Sequence, residues 1–140
     1  MPDIPEELLR RVEANEPAAL WEYSRILEET DIDEAYKYAV LAAQLFHPQA
    51  IMLLGDRCAK DNDSEEAERY YRMGVKAGLV DCSVKLAKLH LLSNEPQGLI
   101  ELEELTEMGV KSAAAALAEY YKARGNEKQY EYWSSRVSNE

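Results

Sequence analysis

A leucine-centred segment recurs four times along the chain, and this repetition constrains the fold more than any other feature. The four segments read PAALWEYSRI, IMLLGDRCAK, SVKLAKLHLL and AAALAEYYKA. Their fourth residues are 34, 32 and 31 positions apart: Leu20, Leu54, Leu86 and Leu117. A small residue follows three of these leucines, whereas Trp21 takes that place in the first segment. Self-similarity at a period of about 20–50 residues indicates an array of one repeated structural unit.

Each segment is followed by a short polar break and then by a second helical pattern. The breaks fall at residues 29–31, 61–64, 93–96 and 125–126, and they contain the residue types that cap helices and form turns. Gly78 and Gly109 close the second and third units, where a helix end favours a left-handed residue. The first unit closes at His47 and Pro48, and we expect His47 to act there as a cation at a helix end.

The composition favours helix throughout the chain. Ala, Leu, Glu and Lys are abundant, and no useful alternating run of apolar and polar residues predicts a strand. We therefore expect an all-α fold, a right-handed α-solenoid of four helix–turn–helix repeats with an N-terminal helix. In a single domain spanning 1–140, the predicted helix covers about 5–15, and the repeats cover about 16–47, 48–79, 80–110 and 111–140.

The second unit resembles the tetratricopeptide-type helical repeats. The resemblance rests on the small and large packing residues of that unit: Ile51, Leu54, Gly55, Cys58, Ala67, Tyr71 and Gly74. The run EEAERYYRMGVKAG at residues 65–78 is similar to the Sel1-like branch of the family, and YEYWSSRV is similar to it at Tyr130 and Trp133. The resemblance implies a scaffold or adaptor that binds peptides or protein segments.

The same resemblance implies that the first helix of each unit lines a concave binding face. Counting from the repeat leucines, the positions that face this groove combine small, apolar and charged residues of both signs. The expected partner-binding residues are Glu22, Arg25, Met52, Asp56, Val84, Lys88, Glu119 and Lys122. The alternative is a solvated helical face that binds nothing in particular.

Adjacent aromatic residues are expected to divide between the core and the surface. We predict that Tyr71 and Trp133 pack in the core, and that Tyr70, Tyr120 and Tyr132 are exposed as candidate anchors for a partner. His90 occupies a packing place in the third unit and is predicted to be a partly buried spacer.

The charge excludes some classes of partner. Acidic residues outnumber basic ones by 27 to 16, for a net charge of −11, so we expect neither nucleic-acid nor membrane binding. The charge is uneven: residues 1–47 carry −7, 48–79 carry −1, 80–110 carry −4 and 111–140 carry +1. A partner with a basic segment is therefore expected to approach the N-terminal units first.

Neither a catalytic nor a metal-binding arrangement is recognisable. Cys58 and Cys82 form no CxxC pair, and His47 and His90 are isolated. The acidic clusters at 28–34 and 101–107 lack the spacing of a calcium loop or a di-metal site. We expect no enzyme activity, no cofactor and no bound metal.

The predicted function is a non-enzymatic protein–protein interaction module. One alternative is a small acidic bacterial chaperone for a secreted or basic client, similar in size and charge to bacterial secretion chaperones built from such repeats. An enzyme or metal protein is the less favoured alternative. We expect a monomer or weak homodimer, and a cytoplasmic location because the sequence shows neither a signal-peptide pattern nor an apolar run of about 18 residues.

Overall fold

The computed structural model describes residues 3–138, and this part of the chain contains nine helices and no strands. The predicted all-α class is thus confirmed for these residues. The helices are α1 Glu6–Glu13, α2 Pro17–Leu27, α3 Ile32–Gln44, α4 Pro48–Lys60, α5 Ser64–Lys76, α6 Val80–Ser93, α7 Glu95–Glu107, α8 Lys111–Ala123 and α9 Glu127–Ser138.

Consecutive helices pack in pairs, α2 with α3, α4 with α5, α6 with α7 and α8 with α9. The first helices of these pairs begin 31, 32 and 31 residues apart, at Pro17, Pro48, Val80 and Lys111. The second helices begin 32, 31 and 32 residues apart, at Ile32, Ser64, Glu95 and Glu127. The helix boundaries therefore recur at a nearly constant interval along the described residues.

The polar breaks cap the second helix of each pair, as the sequence predicts. The side-chain oxygens of Asp31, Asp63, Asn94 and Asn126 each accept a hydrogen bond from the backbone N–H three residues later, at 3.2–3.4 Å. Each bond satisfies one of the N–H groups that a helix N-terminus leaves without an intrahelical partner.

A residue with positive φ precedes the N-cap of each first helix. The φ angles are 57° at Asn15, 62° at Phe46, 82° at Gly78 and 93° at Gly109. The left-handed conformation predicted for Gly78 and Gly109 is therefore confirmed. Phe46 is the unusual residue among the four. Glycine and, less often, asparagine adopt this left-handed region, whereas other side chains pay about 1–2 kcal/mol there.

The helices form two compact units, and the first, Met1–Gly78, contains α1 to α5. Leu20, Ile51 and Leu54 are its fully buried large side chains, and alanines fill much of the remaining core. Close packing within the pairs depends on small residues. The hydroxyl of Ser24 on α2 donates to the carbonyl oxygen of Ala35 on α3 at 2.6 Å, and both residues are buried.

The second unit, Leu79–Glu140, contains α6 to α9. Leu102, Leu117 and Trp133 are the large residues of its buried cluster, together with Val84 and four alanines. The indole N–H of Trp133 donates to the side-chain oxygen of Gln129 at 3.0 Å, so its polar edge is satisfied.

The aromatic predictions are confirmed in the core, but of the three tyrosines predicted at the surface only Tyr132 is exposed, and Tyr120 is half-buried. Tyr71 and Trp133 are buried, as predicted. Tyr70 is also buried, with only 3% of its surface exposed, and so it is not a surface anchor. The reason is the width of the apolar stripe on α5, which includes both tyrosines together with Ala67 and Gly74.

The helix boundaries correct the alignment of the first segment by three residues. Leu20 and Ile51 are both the fourth residue of their helices, so Leu20 corresponds to Ile51 and not to Leu54. In the corrected alignment Ser24 corresponds to Gly55, and Trp21 no longer occupies a small-residue place. Leu86 also differs from the other repeat leucines, because it is only partly buried.

Within residues 3–138, no single helix has the length and apolar character needed to cross a membrane. Taken together, α3 and α4 meet the same length and composition test, but the pair is bent by 119°.

Candidate functional site

The structure places the predicted partner-binding residues of the first unit on α2 and α4. Glu22 and Asp56 are exposed, and Arg25 and Met52 are partly buried. When α2 and α4 are aligned at their first residues, Arg25 corresponds to Asp56 and Trp21 corresponds to Met52. The sequence alignment therefore missed Trp21 as a candidate surface residue. The prolines that begin both helices, 31 residues apart, are the signal that would have found it.

An aromatic and arginine cluster joins α2 to the N-terminus of α4 in this unit. The rings of Trp21 and His47 stack with centroids 5.5 Å apart and an angle of 25° between their planes. The guanidinium carbon of Arg25 lies 4.2 Å from the Trp21 ring centroid, which places the cation over the aromatic face. We call Trp21, Arg25 and His47 the Trp21 cluster.

Glu28 connects the Trp21 cluster to the last turn of α4. Its carboxylate lies 2.9 Å from Nη1 of Arg25 and 3.9 Å from Nη2 of Arg57. The Nε of Arg25 is buried and has no hydrogen-bond partner among the described residues. Arg25 is therefore held by ring stacking and by one carboxylate, while part of its hydrogen-bonding capacity stays unused.

His47 does not act as a cation at a helix C-terminus, so that prediction is wrong. It is the N-cap of α4, and its Nδ1 accepts a hydrogen bond from the backbone N–H of Ala50 at 3.4 Å. An accepting ring nitrogen carries no proton, and the positive end of the helix dipole also disfavours a charged ring there. Burial lowers the pKa of His47 further below its usual value.

Asp56 has a structural contact that the sequence did not reveal. The hydroxyl of Tyr71 on α5 donates to Oδ1 of Asp56 at 2.6 Å. The carboxylate is exposed to solvent, but it also fixes the orientation of the buried Tyr71 ring. Asp56 is consequently a poor choice for a binding test, since its substitution would also disturb the core.

In the second unit, α6 and α8 pack against each other directly. Lys88 on α6 and Glu119 and Lys122 on α8 are exposed, as expected for surface residues. Val84 is different: only 6% of its surface is exposed, and it belongs to the buried cluster. Val84 therefore packs in the core of the unit and is inaccessible to a partner.

His90 forms a polar contact inside the second unit and fits the predicted spacer role. It is buried, and its Nδ1 lies 2.6 Å from Oε1 of Glu101 on α7. The other carboxylate oxygen of Glu101 accepts a hydrogen bond from the side-chain amide of Gln97 at 3.0 Å. Glu101 is thus engaged within the unit.

Two further features bear on ligand binding. A surface cavity of about 340 Å³ in the second unit is lined by Thr106, Glu107, Gly109, Val110, Lys111, Ala114 and Arg136. Between residues 3 and 138, no group of three or more His, Cys, Asp or Glu side chains is arranged to hold a metal ion.

No protein-family model matches the chain, and a search of curated proteins finds no matching relative. The resemblance to tetratricopeptide-type repeats therefore rests on the residues of this chain alone.

Proposed function

We propose that this protein is a non-enzymatic interaction module that binds a peptide or partner segment on the surface of its first helices. The observation that carries the proposal is the Trp21 cluster. It gives α2 and α4 a partly exposed indole ring with a guanidinium stacked on it. Trp and Arg are the residue types that contribute most often and most strongly to protein interfaces. Glu22 adds an exposed carboxylate on α2.

Charge favours a basic partner for the first unit. Residues 1–78 contain 17 acidic and 9 basic side chains, a net charge of −8. A segment rich in Lys or Arg would be attracted by this field during encounter, and an apolar side chain of the segment would contact the Trp21 ring. On the second unit, Lys88, Glu119 and Lys122 offer both signs of charge.

The proposal includes a finer description of the fold, a right-handed solenoid of four tetratricopeptide-like or Sel1-like repeats. The recurrence of helix starts every 31–32 residues supports it, as does the repeated Asp or Asn cap on the second helix of each pair. An experimental structure of the full chain would test the handedness and the repeat count.

Binding tests this function most directly. We would capture partners from native extract on the purified chain, identify them, remake one in pure form, and measure its affinity by calorimetry. The test variant reverses three exposed charges on the first helices, Glu22→Lys, Lys88→Glu and Glu119→Lys. The matched control makes the same three types of change on second helices, Asp33→Lys, Lys128→Glu and Glu65→Lys, all at exposed positions.

We expect the test variant to weaken binding by about tenfold or more, and the control to stay within about twofold of the unchanged chain. Equal affinities for the two variants would rule out the first-helix surface as the binding site.

A chaperone for a basic client remains the second candidate, because the −7 charge of residues 1–47 would hold a basic unfolded segment. The two candidates differ in what they bind. A chaperone would suppress the aggregation of a basic client diluted from denaturant without preferring one sequence, whereas an adaptor would prefer its own peptide over a scrambled one.

A further inference from the structure

The helix α7 carries an unusual excess of negative charge. Five of its thirteen residues are glutamates, and none is basic. Only Glu95 lies in the first turn, where the helix dipole stabilises a carboxylate. The acidic residues of α3 differ in this respect, because Asp31 caps that helix and Asp33 and Glu34 lie in its first turn.

Three of the α7 glutamates share one side of the helix with two exposed apolar residues. The buried stripe of α7 consists of Gly98, Leu102 and Thr106. The opposite side holds Ile100, Glu103, Glu104 and Glu107 at the spacing of one helical face, followed by Met108 at the C-cap. We call these five residues the α7 acidic face. Ile100 is 55% exposed and Met108 is 76% exposed, which is high for large apolar side chains.

The arrangement is unfavourable for the isolated helix. Glu103 and Glu107 are four residues apart, and Glu104 and Glu107 are three apart, so like charges repel across one turn. All three lie toward the C-terminus of α7, which is the negative end of the helix dipole. The charges on this side therefore destabilise the helix.

The rest of the described chain does little to neutralise these carboxylates. Arg136 of α9 reaches Glu107 at 3.5 Å, in a pair whose carboxylate side chain is 71% exposed. Neither Glu103 nor Glu104 forms a hydrogen bond or an ion pair within residues 3–138. A positively charged partner would relieve the repulsion that the fold leaves in place.

We propose that the α7 acidic face binds a basic amphipathic segment of a partner protein. Lys or Arg side chains of that segment lie against Glu103, Glu104 and Glu107, and its apolar side chains cover Ile100 and Met108. Charge complementarity selects this occupant, because a basic segment converts a destabilising row of carboxylates into ion pairs and also covers the exposed apolar atoms. The face lies on a second helix, so the inference does not depend on the first-helix surface proposed above.

The test uses the full chain and a synthetic probe. The probe is an amidated peptide of about 14 residues, long enough for roughly four helical turns, with Leu on one face and Lys on the other. A scrambled peptide of the same composition lacks the amphipathic pattern. Binding is measured by fluorescence anisotropy at low ionic strength, and thermal melting monitored by circular dichroism verifies that each variant is folded.

Charge is tested with two variants that remove the same number of carboxylates. Glu103→Gln with Glu104→Gln changes the α7 acidic face, and Glu29→Gln with Glu65→Gln changes exposed positions in the first unit. We expect the first pair to weaken probe binding by about tenfold and the second by less than about twofold. Equal losses would mean that only the net charge attracts the probe, and would overturn the site.

The apolar contribution is tested in the same way. Ile100→Ser with Met108→Ser should weaken binding of the amphipathic probe by about tenfold. The control Leu92→Ser removes an apolar side chain that is 85% exposed in the same unit, and it should have no effect. An equal affinity for the scrambled peptide would overturn the amphipathic partner.

Two further outcomes separate this inference from the proposed function and from self-association. The Glu22→Lys, Lys88→Glu, Glu119→Lys variant should bind the probe as the unchanged chain does. A loss confined to that variant would place the probe on the first-helix surface and overturn the α7 site. Light scattering that shows a dimer dissociated by the α7 glutamine variant would instead identify a second copy of the chain as the occupant.

Discussion

A β-carbon on residue 98 would lie 2.6 Å from the backbone nitrogen of Leu91, closer than real side chains approach. Gly98 on α7 therefore marks the point where that helix meets the backbone of α6. Glycine inside a helix is otherwise less favourable than alanine. The structure gives the physical reason, because at this position not even a methyl group fits between the two helices.

We predict that Gly98→Ala destabilises the protein by about 1–3 kcal/mol, even though alanine is the better helix former. The obstacle is backbone, so the helices must separate to admit the methyl group. Gly109→Ala is the matched control, because it has open space around its β-carbon but a φ of +93°. Its cost should be the conformational strain alone, about 1–2 kcal/mol. Urea denaturation measures both, and a more stable Gly98→Ala variant would contradict the close approach.

Core truncation should distinguish two of the repeat leucines. Leu54 is fully buried, so Leu54→Ala should lower the free energy of unfolding by about 2–5 kcal/mol. Leu86 holds the corresponding place in the third segment but is partly exposed, so Leu86→Ala should cost clearly less. The two midpoints of denaturation can be compared directly. Equal losses at the two positions would mean that the burial described for α6 is incorrect.

Stability should depend on pH through His47. Burial lowers the pKa of this residue in the folded state, so the unfolded chain binds the proton more readily. The neutral ring of His47 therefore contributes fully to the stability of the folded state above pH 6.5, the usual histidine pKa. This contribution is lost as the pH falls below that value. His47→Asn keeps a capping side chain but removes the titration.

The measurement compares the free energy of unfolding of the original chain and His47→Asn at about pH 7.5 and about pH 5.5. Carboxylates contribute almost equally to both proteins and cancel in the comparison. The original chain should lose more stability on acidification than the variant does. Parallel losses would show that the ring of His47 is not a neutral acceptor in the folded state.

The repeat pattern predicted the fold class well because it depends on local chemistry. Caps and turn residues act within three or four positions of the chain, so Asp31 and Gly78 could be assigned from sequence. Helix pairing followed from the short connections between them. The alignment of the first segment was wrong because a match between residue types does not show which helical turn each residue occupies. Leu20 and Leu54 are both buried leucines, and only the helix starts reveal that they occupy different turns.

The candidate surface was harder to predict, because exposure depends on packing between helices. Val84 was assigned to the groove by its spacing, but the α6 stripe that contains it faces the core. Asp56 was expected to be a free surface charge, although it accepts a hydrogen bond from a tyrosine fifteen residues away. Tyr70 and Tyr71 are adjacent and yet both are buried, although one residue of such a pair was expected to face solvent.

The last prediction concerns the energetic cost of the α7 acidic face. Glu103→Gln with Glu104→Gln removes two carboxylates near the C-terminus of α7 and the repulsion between them and Glu107. In the absence of a partner, this variant should be more stable than the original chain by about 0.5–1 kcal/mol at low ionic strength. The gain should shrink as salt screens the charges, and at about 1 M salt it should nearly vanish.

Chemical denaturation with urea, which adds no ions, is the suitable measurement of this gain in stability. Glu29→Gln with Glu65→Gln is the control, because it removes the same amount of negative charge without changing α7. A loss of stability in the α7 variant would mean that Glu103 and Glu104 stabilise the fold, and their placement would then need no binding partner to explain it.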